Sequence, residues 1–288
     1  MARVKTVFLM CILMILFVLV GGAIGGKIGM MIAFLVACGM NFFSYFFSDK
    51  LVLKHYKAVE VNENNASGLY EIVDRLAYKA NLPMPKVYII PEQVPNAFAT
   101  GRNPNHAAVA VTEGLLKLMT PQEIEGVLAH EMSHVNHYDI LIGSVASVFA
   151  GAIAMLGNFA KIGTMTGANS RSGGRRNGLF ILIAAIVMPL AASVIQMAIS
   201  RTREFKADEG AARLTQHPEW LISALSKLDQ YAKSYRMQNA NSQTAHMFIM
   251  NPFSGLKGFT NLFSTHPTTQ DRIAKLSEIK DELQKITR

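Results

Sequence analysis

Charged residues are absent from four stretches of the chain, 6–26, 28–48, 140–160 and 178–200. Each has about 20 residues or slightly more, the length of apolar helix that crosses a hydrocarbon core of roughly 30 Å. Arg3 and Lys5 precede the first, as they would in a leader peptide, but only Lys27 separates it from the second. That spacing predicts an anchoring helical hairpin over 1–48 rather than a cleaved signal. The third and fourth stretches are rich in Gly, Ala and Ser, and Pro189 interrupts the fourth. Small residues suit close helix contacts within a membrane, so these predict a second hairpin; the alternative is a pair of buried helices in a large soluble domain.

Between and after these stretches the polarity becomes periodic. Leu69, Ile72, Val73 and Leu76 recur at helical spacing, predicting an amphipathic helix over about 65–80. KVYII (86–90) and AAVAVT (107–112) read as short strands, and the Pro, Asn and Gly turns between them leave room for one more. Thr120, Pro121 and Glu123 form a helix start with a capping box. With no Gly or Pro before residue 140 except Gly126, that helix is expected to run on into the third apolar stretch. Further helices are expected over 200–214, 218–237 and from Pro267, the last presenting Ile273, Leu276, Ile279 and Leu283 on one face. Residues 163–178 and 239–264 read as loops.

Half of the residues are apolar and 17% are charged, which with the four stretches indicates an integral membrane protein. The net charge of +8 does not mark a nucleic-acid binder, because no basic reading element accompanies it. The bases instead flank the spans: Arg3 and Lys5, then Lys50, Lys54 and Lys57, then Arg201, Arg203 and Lys206. This is the distribution expected of cytoplasmic ends; Lys161, Arg171, Arg175 and Arg176, between the third and fourth stretches, run against it. Cys11 and Cys38 lie within the apolar stretches and make no disulfide or metal pattern.

The candidate chemistry sits in VLAHEMSHVNHYD, residues 127–139. His130, Glu131 and His134 spell H-E-x-x-H on the predicted helix. Histidines four apart share a face about 6 Å apart along the axis, so both rings can reach one zinc, with Glu131 beside it as general base. His137 lies about 4.5 Å further along the axis, too far to share that ion, and is expected at the surface or behind the ligands. The glycine turn and third histidine of one common extension are missing, Ile140 standing in the histidine's place. Another ligand must come from elsewhere, and REFKADE (203–209) supplies two carboxylates four apart, Glu204 and Asp208: one to bind, the other to orient a histidine. On a solvated helix these would instead pair with Arg201, Arg203 or Lys206. If the third and fourth stretches form a hairpin, His134 and Glu204 emerge on one side of it at similar height.

The chain resembles the HtpX-type membrane zinc endopeptidases, relatives of the eukaryotic CAAX prenyl protease. The likeness rests on PNAFATG (95–101), HEMSHVNHYD (130–139), SRTREFKADEGAA (200–212) and STHPTTQDRI (264–273), in an order that spans essentially the whole chain. It implies a mainly α membrane protein: transmembrane helical hairpins with a zincin-like α+β catalytic domain, 49–288, carrying a small sheet and interrupted by the second hairpin. It implies one zinc held by His130, His134 and Glu204, Glu131 as base, Asp208 behind a ligand, His266 near the catalytic centre, and Asn96 in a substrate-facing segment. Thr202 stands where the family's basic triplet usually has arginine. The resemblance further implies a bacterial inner-membrane enzyme, its catalytic domain in the cytoplasm, acting on misfolded or damaged membrane proteins. The competing class is a catalytically silent membrane scaffold with a structural metal, which an intact Glu131 argues against. A transporter would need intramembrane charges, and the stretches have none.

Overall fold

A computed structural model describes residues 2–145, 201–234 and 267–286. Most of the third apolar stretch, all of the fourth, His266 and the 239–265 loop lie outside the described residues. Helical conformation runs from Ala2 to His55 (α1), but not as one rod. Gly26 takes a left-handed φ of +59°, and Asn41 Nδ2 donates to the Met10 carbonyl at 3.3 Å. Residues 31 apart on a straight helix would be separated by roughly 45 Å, so the chain doubles back. Gly21 and Gly29 meet near the bend, where a Cβ on either would strike the other's backbone. The returning limb, Gly26–His55, is long and apolar enough to cross a membrane, with a mean hydropathy of 1.8; the outgoing limb contains the shorter apolar helix Thr6–Leu19.

The helix continues past Ser48, and its end covers one face of a four-stranded sheet. The strands are β1 (Val59–Val61), β2 (Lys86–Ile90), β3 (Ala97–Gly101) and β4 (Ala107–Thr112), in the order β1-β2-β4-β3. β2 and β4 are parallel; the other pairs are antiparallel. Side chains alternate across the sheet. Ile90, Phe98, Ala108 and Ala110 meet Val52 and Leu53 of α1, while Val87, Val109 and Val111 face the main core. β4 is buried along its whole length and carries alanines where α1 crosses it.

The main core lies between the sheet and a layer of helices: α2 (Ser67–Lys79), α3 (Glu113–Leu118), α4 (Pro121–Asn136), α5 (Arg201–Thr215), α6 (Pro218–Ser234) and α7 (Thr269–Ile286). The expected amphipathic face of α2 is buried at Leu69, Ile72, Val73 and Leu76. The α4 capping box forms in both directions, Thr120 accepting from Glu123 N and Glu123 accepting from Thr120 N. Glu123 also takes Ser223 and Lys227 of α6, at 2.6 and 2.7 Å. α5 lies against α4 through small residues; a Cβ at Gly210 would collide with Ser133.

Two expectations are corrected. α4 does not run on into the apolar stretch: it stops at Asn136, His137 caps it, and Tyr138 turns left-handed at φ +61° before helix resumes over 140–145. Neither Gly nor Pro marks this break. The final helix starts at Thr269 rather than Pro267, and Thr268 Oγ1 caps it by accepting from Asp271 N.

Candidate metal centre

The centre is assembled where α4 and α5 cross beneath the edge strand β3. His130 and His134, one turn apart on α4, bring their Nε2 atoms to 3.2 Å. Glu204 of α5 faces both, its oxygens 3.6 Å from His130 Nε2 and 3.5 Å from His134 Nε2. A tetrahedral zinc with bonds of about 2.0–2.1 Å sets its donor atoms about 3.4 Å apart. The two Glu204 distances are to different oxygens of its carboxylate; taking one donor atom from each residue, the three lie within 4.8 Å of one another, a group that could hold one such ion.

Each imidazole is held from behind. His130 Nδ1 lies 2.9 Å from Asp208 Oδ1, and His134 Nδ1 lies 3.4 Å from Asp139 Oδ2. A ring that donates its Nδ1 proton to a carboxylate presents a bare lone pair at Nε2. Two such lone pairs repel at 3.2 Å unless a cation or a proton sits between them. Arg272 of α7 secures Asp208 with a two-pronged grip, Nη2 to Oδ1 at 2.5 Å and Nε to Oδ2 at 2.8 Å. Although it carries a full charge, Arg272 is only 1% exposed.

The electrostatics favour a cation. The carboxylates of Glu131, Glu204, Asp208 and Asp139 outnumber the guanidiniums of Arg272 and Arg203 that pair with them. Burial alone would lower the His134 pKa. The Asp139 contact and the Glu204 and Glu131 charges outweigh burial and raise it to about 9. Burial raises the Asp208 carboxyl, but Arg272 more than offsets this and keeps it below the usual range. Glu131 is pushed up by burial, against the pull of both histidines and of the Ala99 N–H, which donates to its Oε2 at 2.9 Å.

Ala99 lies on β3, the edge strand of the sheet among the described residues, and its N–H points towards Glu131 instead of into the sheet. Asn96, just before that strand, is buried; its N–H donates to Thr112 Oγ1 and its carbonyl accepts from Thr112 N. It anchors the start of the edge strand. His137 is exposed at the end of α4 and away from the centre.

Comparison with known proteins agrees with this geometry. The profile described as Peptidase family M48 matches residues 63–280. The chain belongs to peptidase family M48. Within it, the protein is 68% identical over 284 residues to a Protease HtpX homolog of Campylobacter hominis, covering 98% of this chain and all of that one. It is 58% identical over 282 residues to the homolog of Sulfurovum sp., covering 97% and 100%. The crystal structure of S. mikatae Ste24p aligns over 84% of this chain and 57% of that one, at 18% identity and a TM-score of 0.49. This is therefore an HtpX-type member of M48, a family of metallopeptidases.

Two residues of this M48 centre escaped the sequence reading. Arg272 lies in STHPTTQDRI, where an arginine on a charge-rich helix reads as solvated. Asp139 follows the second histidine by five residues, a spacing that places it elsewhere on an unbroken helix. The alternative, in which Glu204 and Asp208 pair with Arg201, Arg203 or Lys206 on a solvated face, does not describe Asp208: it pairs with Arg272, and Arg203 reaches Asp139.

Proposed function

We propose that the protein is a membrane-anchored zinc endopeptidase that hydrolyses peptide bonds of misfolded or damaged membrane proteins. Its anchor is the α1 hairpin, and its catalytic domain faces the cytoplasm of a bacterial inner membrane, where the basic flanks of the apolar stretches belong. The observation that carries the reading is the convergence of His130, His134 and Glu204, one donor atom from each lying within 4.8 Å of the others. Those three residues would hold the zinc. When bound, it supplies a Lewis acid that polarises the scissile carbonyl and lowers the pKa of a water.

The remaining work falls to the chain's own groups. Glu131 takes the proton from the attacking water and passes it to the departing amine. The Ala99 N–H fixes the carboxylate that does so. Asp208, gripped by Arg272, keeps the His130 ring in register with its partners. An extended substrate segment adds alongside β3, an edge strand of the sheet among the described residues, in the manner of β-strand addition. Asn96 sets where that edge begins. The family resemblance alone suggests His266, outside the described residues, as a hydrogen-bond donor to the oxyanion.

The test is Glu131→Gln, which keeps size and hydrogen bonding but removes the base. The variant should retain zinc at wild-type stoichiometry and lose cleavage of an unfolded membrane-protein substrate. Undiminished cleavage would overturn the assignment.

A further inference from the structure

The break after α4 has a consequence for the metal centre. Had α4 continued as regular helix, residue 139 would sit five positions beyond His134, about 7.5 Å along the axis and about 140° around it, facing away. Instead the chain tightens. Asn136 ends the helix, Tyr138 adopts φ +61°, and Asp139 N donates to the His134 carbonyl at 3.0 Å. This turn folds the Asp139 side chain back onto the ring it would otherwise have left behind, with Oδ2 3.4 Å from His134 Nδ1. Its other oxygen lies 3.6 Å from Arg203 Nη1, and the side chains of Asp139 and Arg203 are 9% and 14% exposed.

A left-handed backbone is unfavourable at a bulky aromatic residue. Such conformations persist where the surroundings over-determine them, often at functional sites. The surroundings here mirror the other half of the centre. His130 has Asp208 at its Nδ1 and Arg272 behind that aspartate; His134 has Asp139 at its Nδ1 and Arg203 behind it. Arg203 also immediately precedes Glu204 on α5, so the Asp139–Arg203 pair ties the turn to the helix that carries the third donor.

We propose that Asp139 is a positioning residue of the metal centre: with Arg203 it fixes the ring orientation and tautomer of His134, as Asp208 with Arg272 does for His130. The inference rests on the zinc reading given above. A carboxylate behind a ligand imidazole raises its basicity and removes its rotational freedom, and losing such a partner typically costs 10–100-fold in metal affinity.

The experiment is zinc affinity, by chelator competition, of the full-length protein in detergent as wild type, Asp139→Asn and Asp139→Leu. The thermal unfolding of each metal-free protein and the visible spectrum of each cobalt-loaded form are recorded alongside. Asparagine keeps an acceptor of the same shape without the charge, and leucine removes both. The expected result is affinity reduced about tenfold for Asp139→Asn and towards about 100-fold for Asp139→Leu. The cobalt bands should shift in both, and metal-free Asp139→Asn should melt as the wild type does. Two results would overturn the proposal: both variants binding zinc within twofold of wild type, or Asp139→Asn losing affinity only together with its metal-free fold. A wild type that takes up no zinc at all would instead sink the zinc reading itself.

Discussion

Arg272→Met separates the two things the buried arginine does. The guanidinium is 1% exposed and Asp208 is fully buried, so little water is present to screen the charge left behind. Burial alone would lower the Arg272 pKa, but the carboxylates of Asp208, Glu204 and Glu131 raise it, a sign of strong mutual stabilisation. Removing one partner of such a pair costs about 3–5 kcal/mol, because the other is stranded in a dry interior. That is a large share of the roughly 5–15 kcal/mol that holds a typical domain together. Replacing both partners by apolar residues is often nearly neutral, so Arg272→Met combined with Asp208→Leu should recover most of the lost stability. It should not recover zinc affinity, since His130 Nδ1 would still lack the acceptor now 2.9 Å away. The assay is denaturant unfolding of the metal-free proteins in detergent, paired with zinc affinity for the wild type, both single variants and the double variant. The reasoning is refuted if Arg272→Met costs less than about 1 kcal/mol, or if the double variant regains stability and metal binding together.

Glu204→Ala should strip most of the zinc, whereas Asp208→Ala should weaken binding without abolishing it; metal content after gel filtration distinguishes them, and full occupancy of the Glu204 variant would remove it from the donor set. Glu123 ties α4 to α6, and although burial raises its pKa, Lys227, Ser223 and the Thr120 N–H together bring it below the usual carboxylate value. Its stabilising charge is therefore present above the unfolded value of about 4.3 and lost as pH falls through the lower folded one. Glu123→Gln should destabilise by roughly 1 kcal/mol at neutral pH, Lys227 being partly exposed. The gap from wild type in denaturant melts should close in acid; a gap independent of pH would show that the charge is not what matters.

Much of this fold is written in short-range patterns. The 3.6-residue repeat of Leu69, Ile72, Val73 and Leu76 specifies α2, and Thr120, Pro121 and Glu123 specify where α4 begins, because capping is decided within one turn of chain. The strands Lys86–Ile90 and Ala107–Thr112 coincide with the apolar runs that predicted them. The hairpin bend at Gly26 follows from two apolar stretches with one lysine and glycines between them. β1 was invisible because three residues carry too little periodicity, and it exists only through pairing with β2.

For the metal centre, the sequence alone determined that His130 and His134 share a face with Glu131 between them, since four residues of helix fix that whatever surrounds it. It also offered Glu204 and Asp208 as a pair on one helix. Which carboxylate faces the two Nε2 atoms, and which lies behind a ring, was decided by α5 docking close against α4. That Arg272 is a buried counter-charge was decided by α7 closing over both. The break that returns Asp139 to His134 carries no Gly or Pro and is tied to α5 through Arg203. The physical reason is separation along the chain. Periodicity and capping report on neighbours within a turn or two, whereas a charge 64 residues from its partner becomes legible only once packing has excluded the water that would otherwise solvate it.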